Sequence, residues 1–452
     1  MSLVIPDSLV RAGNRKDRAM TRRLALIWVG LVLAAPIARG QIPFSKDLLP
    51  TRTALARVGL ERHWYNVVPL GGRAERVLEV SIDDFLVFVQ TDKANFHVYD
   101  AESGRHLWTT NLGEDSVDAH PSSSNSTTVF VTNSNQIHAL DRKTGRKIWD
   151  KVLEALPASS TSADEDHVWV GLISGTMRTF SAKNGKALWN VQTPGELSSR
   201  PHPAGKVVGF ASHGGKVYVS RSDALQLLFR WTSGGSVTAP LGAHGVRTLL
   251  VPSLDNSLYA VDLFNGTTNW NYPSGAPIEQ EPLVAGDDVF VVNTEGRLAS
   301  IDAVSGTPNW AISTVGGPLL GVSKNRVFLE SRDGDLFIVD RATGQMLYDP
   351  RTTFERAGLN IRAFELGPTN RLNDRIYIAS RSGMLVCLRE AGALKPLLLR
   401  DPKQKPFGYI PPEGYPEGNV IPKAVTPPTG DALGGTAAPD ADAATPKAAK
   451  PK

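Results

Sequence analysis

The 452-residue sequence has little of several things that mark common kinds of functional site. It contains one cysteine, Cys387, and therefore no intramolecular disulfide, no cysteine zinc cluster and no redox pair of thiols. The neighbours of this cysteine, Val386 and Leu388, are apolar, which predicts a buried structural thiol. Charged residues make up 21% of the chain and aromatic residues 7%. This composition is typical of a soluble, turn-rich globular protein and excludes a membrane bundle or a disordered chain.

The apolar run at residues 24–35 is too short for an ordinary transmembrane helix. It follows Met20-Thr21-Arg22-Arg23 and precedes the small residues of Ala38-Arg39-Gly40. This order predicts a secretory signal peptide, with Met20 as the start and Gln41 as the mature N-terminus. No lipobox cysteine accompanies it, so we expect a periplasmic or secreted protein without a lipid anchor. An uncleaved membrane anchor is the alternative.

The basic character of the chain comes from its first 40 residues. These residues hold seven Lys and Arg and two Asp, a net charge of +5 within a total of +4, which leaves −1 for the remainder. The isoelectric point near 9.0 is thus mostly a property of the leader. A nearly neutral mature chain gives no reason to expect nucleic acid binding.

A motif of eleven residues recurs about every 40 residues, which indicates a repeat architecture. Its fullest copy is Ala139 to Trp149, with the sequence ALDRKTGRKIW. The aromatic residues that close successive copies are 38 to 42 residues apart. They are Trp108, Trp149, Trp189, Trp231, Trp270, Trp310 and Tyr348.

The residues of the motif are those of a strand, a tight turn and a second strand. An Asp at the start of the turn can accept backbone N–H bonds, and a Gly four residues later supplies a positive φ. The unit that ends at Trp231 lacks both residues. The predicted turn residues are Asp100, Gly104, Asp141, Gly145, Gly185, Asp262, Gly266, Asp302, Gly306, Asp340 and Gly344. Each motif follows an apolar run and a hairpin turn, so one unit has about four short strands, the size of a propeller blade.

The strand that leads into the turn occurs eight times, but its last copy, Met384 to Arg389, is followed by no tryptophan. A strand with an unmatched tryptophan, Trp64, lies at the other end of the chain, within residues 61–70. The sequence therefore predicts an all-β, eight-bladed β-propeller of four-stranded antiparallel blades, closed by an N-terminal strand. The alternative is a seven-bladed ring with one unit outside it.

The predicted ring covers residues 58–400, between segments of different composition. We expect a leader and signal peptide over residues 1–40 and a lead-in over residues 41–57. Residues 401–452 are rich in Pro, Ala and Lys and cannot bury enough apolar surface to fold, so they predict a disordered tail. A plain solvated tail is the expectation, and a tether for a partner or a cell-wall polymer is the alternative.

The pattern Ala-x-Asp-x-x-Thr-Gly-x-x-x-Trp, complete at Ala139 to Trp149 and nearly so at Ala260 to Trp270, resembles the tryptophan-docking repeat of pyrroloquinoline-quinone-like propellers. That superfamily includes quinoprotein alcohol dehydrogenases and BamB-like outer-membrane assembly proteins, and the resemblance covers roughly residues 58–400. It implies that an aromatic side chain docks between successive blades. The implied docking residues are Trp64, Trp108, Trp149, Trp189, Trp231, Trp270, Trp310 and Tyr348.

The resemblance also frames the question of catalysis. The related dehydrogenases use an adjacent cysteine pair, a calcium ion and an Asp base, and one cysteine excludes that pair. We therefore expect no catalytic residue, no cofactor and no metal ion. The first strand of each blade lines the axis of a propeller, which makes a central funnel a further candidate site. Its candidate residues are His120, Arg200, His202, Glu279 and Glu281, as ligands for a metal or an anion; the plainer interpretation is a set of polar groups lining a wet channel.

These observations predict an exported, non-catalytic scaffold that binds protein partners in the cell envelope. The resemblance to BamB-like proteins implies a part in outer-membrane protein assembly. We expect a monomeric propeller whose mature chain does not span the membrane. The alternative function is a ligand- or quinone-binding propeller that uses the central funnel.

Overall fold

The computed structural model describes residues 49–399, except residues 73, 117, 246 and 315. All of them belong to one compact unit. The predicted signal peptide at residues 1–40, most of the lead-in and the predicted tail at residues 401–452 lie outside the described residues. Within the described ranges, no helix is long and apolar enough to cross a membrane.

Seven four-stranded antiparallel sheets follow one another along the chain, each built from four consecutive strands. We number them blades one to seven in chain order. The first strands are β2 (Val77–Ile82), β6 (Ser123–Ser124), β10 (Ser162–Ala163), β14 (His202–Ala204), β18 (Gly242–His244), β22 (Leu283–Ala285) and β26 (Leu319–Val322). First strands of neighbouring blades contact one another, so they surround the axis of the ring.

The remaining strands of each blade lie progressively further from the axis. The second strands are β3 (Leu86–Thr91), β7 (Thr128–Asn133), β11 (His167–Gly171), β15 (Val207–Ala211), β19 (Thr248–Ser253), β23 (Asp288–Val292) and β27 (Arg326–Glu330). The third are β4 (Asn95–Asp100), β8 (Gln136–Asp141), β12 (Thr176–Ser181), β16 (Lys216–Arg221), β20 (Ser257–Asp262), β24 (Arg297–Asp302) and β28 (Leu336–Asp340). The outer strands are β5 (His106–Asn111), β9 (Lys147–Val152), β13 (Ala187–Gln192), β17 (Leu227–Thr232), β21 (Thr268–Pro273), β25 (Pro308–Ser313) and β29 (Met346–Tyr348).

Blade eight joins the two ends of the described chain. Strand β1 (Leu60–Val67) pairs antiparallel with β31 (Met384–Glu390), which pairs with β30 (Ile376–Ala379). A single bridge from Leu366 to Ala379 continues this sheet toward the axis. The eight-bladed ring closed by an N-terminal strand is thus confirmed, and the seven-bladed alternative is wrong.

The core lies between the blades, because each sheet is covered on both faces by its neighbours. All six residues of β3 are buried, as are all six of β7, so these strands show no alternation of exposed and buried positions. The outer strands are more exposed: in β9 only Trp149 is buried, and in β25 no residue is. One apolar cluster combines Phe130 and Ile137 of blade two with Val168 and Val170 of blade three. The free energy of burial therefore holds neighbouring blades together.

Two short helical segments flank the closure. Helix α1 (Arg52–Arg57) begins at Thr51, whose hydroxyl accepts a bond from the backbone N–H of Ala54 at 3.2 Å. A π-helical turn (Thr352–Arg356) lies in the long connection between β29 and β30. The Arg57 guanidinium donates to the carbonyl of Ala357 at 3.2 Å, so the two segments contact each other.

Candidate functional site

The turn between the third and outer strands of a blade, which we call the Asp turn, has the geometry that its residue types predict. In blade two, Asp141 accepts bonds from the backbone N–H and the hydroxyl of Thr144, at 2.8 and 2.7 Å. These bonds hold the pKa of Asp141 below its usual range, the hydroxyl contributing most. Asp100, Asp302 and Asp340 accept bonds from residues three positions on in the same way. The carboxylates of these turns are therefore engaged in local structure.

An indole from the preceding blade lies against each of six Asp turns or their equivalents. Its N–H donates to the backbone carbonyl of the second residue of the turn, at 2.9–3.1 Å. The donors are Trp64, Trp108, Trp149, Trp189, Trp270 and Trp310. The acceptors, in the same order, are the carbonyls of Ala101, Arg142, Ala182, Ser222, Ala303 and Arg341.

The glycine of the turn has a second role that the sequence pattern did not indicate. Gly185 has a φ of +68°, and a Cβ added there would lie 2.7 Å from Cδ2 of Trp149. The same close approach occurs at Gly306 with Trp270 and at Gly344 with Trp310. Glycine is thus required both by the backbone conformation and by the indole that covers it.

In blade four the structure places Phe229, not Trp231, at the docking position. Phe229 lies opposite Val219 in the strand ladder, as Trp189 lies opposite Thr179 in blade three. Both ladders shift register directly after this pair. Phe229 also lies 40 residues after Trp189. The regular 40-residue spacing of the motif therefore indicates Phe229 as the docking residue. The tryptophan that ends the other copies of the motif points instead to Trp231.

The phenyl ring of Phe229 fills the space over the next turn, where a Cβ added to Gly266 would lie 2.8 Å from Cδ2 of the ring. Phe229 has no N–H to donate, so this junction lacks the bond that the indoles make. Trp231 lies two residues later on the outer part of the blade, with its N–H on the hydroxyl of Thr268 at 3.0 Å. Its ring packs edge-on against Tyr259, with centroids 4.9 Å apart.

Tyr348 occupies the docking position of blade seven, opposite Ile338. Its hydroxyl donates to the carbonyl of Arg57 at 3.3 Å. Blade eight has no Asp turn, because its third strand (β31) and its outer strand (β1) come from opposite ends of the described chain and no turn connects them. Helix α1 therefore supplies the acceptor at this junction.

Two of the predicted funnel residues come together at the axis. Arg200 and Glu281 immediately precede Pro201 and Pro282, ahead of the first strands of blades four and six. Nη2 of Arg200 lies 3.8 Å from Oε1 of Glu281. Arg371, from the segment that enters blade eight, donates to the same carboxylate oxygen.

The other predicted funnel residues have different surroundings. Glu279 is exposed, two residues before Glu281. His120 is half-buried ahead of β6, and burial lowers the pKa of its imidazole. His202 is half-buried within β14. Sequence reasoning missed Arg371, because that residue lies outside the repeating motif in the long connection into blade eight.

Among the described residues of 49–399, no three His, Cys, Asp or Glu side chains are grouped so that they could hold a metal ion. Cys387 is fully buried in β31, and burial raises the pKa of its thiol. This confirms the prediction of a buried thiol. A lone buried thiol does not fit the cysteine pair of the quinoprotein dehydrogenases.

An apolar surface patch lies on the face opposite the Asp turns, at blades two and three. We define it by Val152 at the end of β9, Leu156 in the following loop and Ile173 in the turn after β11. All three side chains are at least half exposed. The backbone N–H of Ile173 donates to the carbonyl of Leu156 at 3.1 Å, which joins the two loops.

Comparison with known families gives a match over most of the chain. The sequence model of a family described as outer membrane protein assembly factor BamB matches residues 50–234 and 205–412. The chain belongs to the BamB family.

Two relatives illustrate how far the similarity to BamB proteins extends. BamB of Shewanella oneidensis is 24% identical over 238 residues, which cover 46% of this chain and 60% of the relative. BamB of Burkholderia pseudomallei is 24% identical over 229 residues, covering 46% of this chain and 58% of the relative. The chain thus spans about three fifths of the length of these relatives.

A solved structure extends the likeness in fold. The crystal structure of BamB from Moraxella catarrhalis superposes with a TM-score of 0.58 at 15% sequence identity. The superposition covers 73% of this chain and 97% of the other. At this identity the likeness shows that the two share a fold.

Proposed function

We propose that the protein is an exported, non-catalytic scaffold that binds a protein partner in outer-membrane protein assembly. Membership of the BamB family supports a part in outer-membrane protein assembly. The observation that carries partner binding is the apolar patch of Val152, Leu156 and Ile173. Large exposed apolar side chains grouped on one face are typical of protein-binding surfaces. Export by a leader at residues 1–40, a propeller at residues 58–400 and a solvated tail at residues 401–452 are parts of this proposal.

The chemistry of the patch defines the kind of partner. Its border carries the ion pair of Arg178 and Glu154, with Nε and Oε1 2.6 Å apart. An apolar centre with a charged border matches the usual anatomy of an interface between proteins. We therefore propose that the partner is another protein of the outer-membrane assembly machinery that presents an apolar surface of its own.

Site-specific photocrosslinking in envelope fractions tests this. A photoreactive residue at position 156 should crosslink to a component of the assembly machinery, identified by mass spectrometry. Adding Ile173→Glu should abolish the crosslink, because a carboxylate would be buried in the interface. Leu347 provides the control, since it is an exposed apolar residue on an outer strand away from the patch. Equal crosslinking from positions 156 and 347 would contradict the proposal.

The proposal that the protein is not an enzyme is tested separately. The carboxylates of the Asp turns are engaged in local hydrogen bonds and Cys387 is buried, so these residues do not supply the base and the cysteine pair that the related dehydrogenases use with their quinone. Mature protein incubated with pyrroloquinoline quinone and calcium should reduce no dye with alcohols or aldose sugars. Turnover with either substrate class would favour the dehydrogenase alternative.

A further inference from the structure

Three charged side chains meet across the axis of the ring at the entrance of the first strands. Arg200 comes from blade four, Glu281 from blade six and Arg371 from blade eight, and both guanidiniums approach the same carboxylate oxygen. Two positive charges therefore share one negative charge. The axial cluster of Arg200, Glu281 and Arg371 carries a net charge of +1.

The guanidinium of Arg200 has unused donors. Its distance of 3.8 Å to Glu281 is too long for a hydrogen bond, and no other described residue accepts one from it. Its side chain is 22% exposed, so solvent reaches it. Burial, followed by the charge of Arg371, lowers the pKa of Arg200 to about 10, which leaves it protonated at neutral pH.

Three other blades have small residues at this level of the axis. The residues before the equivalent prolines in blades five, seven and eight are Ala239, Gly317 and Gly367. Their side chains are a methyl group or absent. The large side chains at this position are Arg200, Glu281 and, in blade two, His120, whereas Arg371 enters from four residues beyond Gly367.

We propose that the axial cluster binds a small oxyanion between Arg200 and Arg371. A guanidinium is a planar fork whose N–H groups match the two oxygens of a carboxylate or phosphate. An entering anion would satisfy the donors of Arg200 and neutralise the excess charge. Glu281 then acts as an internal competitor for the two arginines.

This role of Glu281 separates a binding site from a purely structural ion cluster. If the cluster binds anions, Glu281→Gln removes the competitor and tightens binding, because the net charge rises to +2. If the cluster only ties three blades together, the same change weakens the fold and creates no response to anions. The direction of the anion effect therefore decides between the two.

Isothermal titration calorimetry on the mature chain provides the measurement, in a buffer without other polyvalent anions. The probes are inorganic phosphate and N-acetylglycine, the latter standing for the terminal carboxylate of a peptide. We expect one saturable site for at least one probe, at least tenfold weaker in Arg200→Gln and at least fivefold tighter in Glu281→Gln. Arg178→Gln, which removes an arginine from a surface ion pair, should bind as the wild type does.

The probes also identify the source of the anion. Binding of phosphate alone points to a free or headgroup phosphate, and binding of N-acetylglycine alone points to a peptide carboxylate. Should Arg200→Gln fail to fold, Arg200→Lys keeps the charge but loses the fork, and it should still weaken binding severalfold. Absence of saturation by both probes up to about 10 mM, ten times a millimolar dissociation constant, or unchanged binding in the Arg200 variants, would overturn the proposal.

Discussion

The first five junctions of the ring bury their docking residue, and the last three do not. Trp64, Trp108, Trp149, Trp189 and Phe229 are 4–8% exposed. The docking residues that follow are Trp270, Trp310 and Tyr348, and these are only partly buried. We call the junctions of the first five residues the closed arc and those of the last three the open arc.

The difference is one of burial and not of hydrogen bonding. Trp149 in the closed arc and Trp310 in the open arc donate to equivalent carbonyls at 3.0 and 2.9 Å. Trp310, however, lines a cleft of about 460 Å³, together with Asp288 and Lys324. The indole thus makes the same hydrogen bond at both junctions. The residues around it determine how much of its apolar surface is buried. Because apolar burial contributes more than one net hydrogen bond, the two arcs should differ in stability.

The largest effect should come from opening the ring at the start of the closed arc. Deleting residues 58–72 removes β1 and Trp64 and exposes the full edge of β31. We expect aggregation or loss of cooperative unfolding in urea. Tyr65→Ser is the matched control, because that side chain of β1 is exposed. A deletion variant that unfolds at the wild-type urea midpoint would rule out closure by this strand.

Truncating one indole in each arc should give the next largest effect. Trp149→Ala should cost roughly 3–5 kcal/mol, as expected for a buried aromatic residue. Trp310→Ala should cost about 1–2 kcal/mol less, because part of its ring already contacts solvent. Urea unfolding of both variants measures the difference. Equal losses would mean that the cleft beside Trp310 does not weaken its junction.

Blade four allows a finer comparison within the closed arc. Phe229→Ala should cost about 3 kcal/mol, because it removes the ring that covers Gly266. Trp231→Ala should cost about 1 kcal/mol or less, since that ring lies at the surface. The same unfolding experiment ranks them. A larger loss for Trp231→Ala would restore tryptophan as the docking residue of this blade.

The remaining effects concern the pH dependence of stability at two groups in the first two blades, the buried His138 and the half-buried Glu79. His138 in β8 is fully buried, and burial lowers its pKa to about 4. Protonation is therefore easier in the unfolded chain, and the stability that the neutral imidazole contributes is lost as pH falls from 6.5 to 4. Burial raises the pKa of Glu79 in β2 to about 8. Its neutral form is favoured in the fold, so that contribution is lost as pH rises from 4.5 to 8.

Two variants separate these opposing contributions. Relative to the wild type, His138→Gln should become more stable as pH falls, by at most about 1.4 kcal/mol per pH unit between 6.5 and 4. Glu79→Gln should become relatively more stable as pH rises between 4.5 and 8. Unfolding midpoints measured at pH 4.5, 6 and 7.5 provide the test. Parallel pH profiles for the wild type and both variants would contradict it.

The repeat made the fold predictable. Every blade carries the same apolar runs and turns, so a strand that is ambiguous in one repeat can be assigned by comparison with the other repeats. The unmatched strand around Trp64 predicted how the ring closes. The docking residue of blade four was less predictable, because Phe229 and Trp231 project from the same side of one strand. The strand register and the 40-residue spacing from Trp189 to Phe229 distinguish them.

The axial cluster was predictable only in part. Arg200 and Glu281 precede prolines at equivalent places in two repeats, which was enough to place both at the axis. Arg371 belongs to a connection of unique sequence, and no periodicity fixes where such a segment runs. The apolar patch was equally hidden, because Leu156 and Ile173 come from two loops whose proximity depends on a tertiary hydrogen bond.

The pairing of β1 with β31 also sets an order of events during biosynthesis. A ribosome makes β1 more than 300 residues before its partner, and the chain emerges with that strand first. Until residues 384–390 follow, β1 has no neighbour in its own sheet, and the growing row of blades has an uncapped edge at each end. Long-range pairing of this kind folds slowly and leaves such edges open to misassembly. The first strand is therefore unpaired in its own sheet for most of synthesis, and a nonsense mutation before codon 384 would remove the partner of β1 and leave the ring as open as the loss of β1 itself.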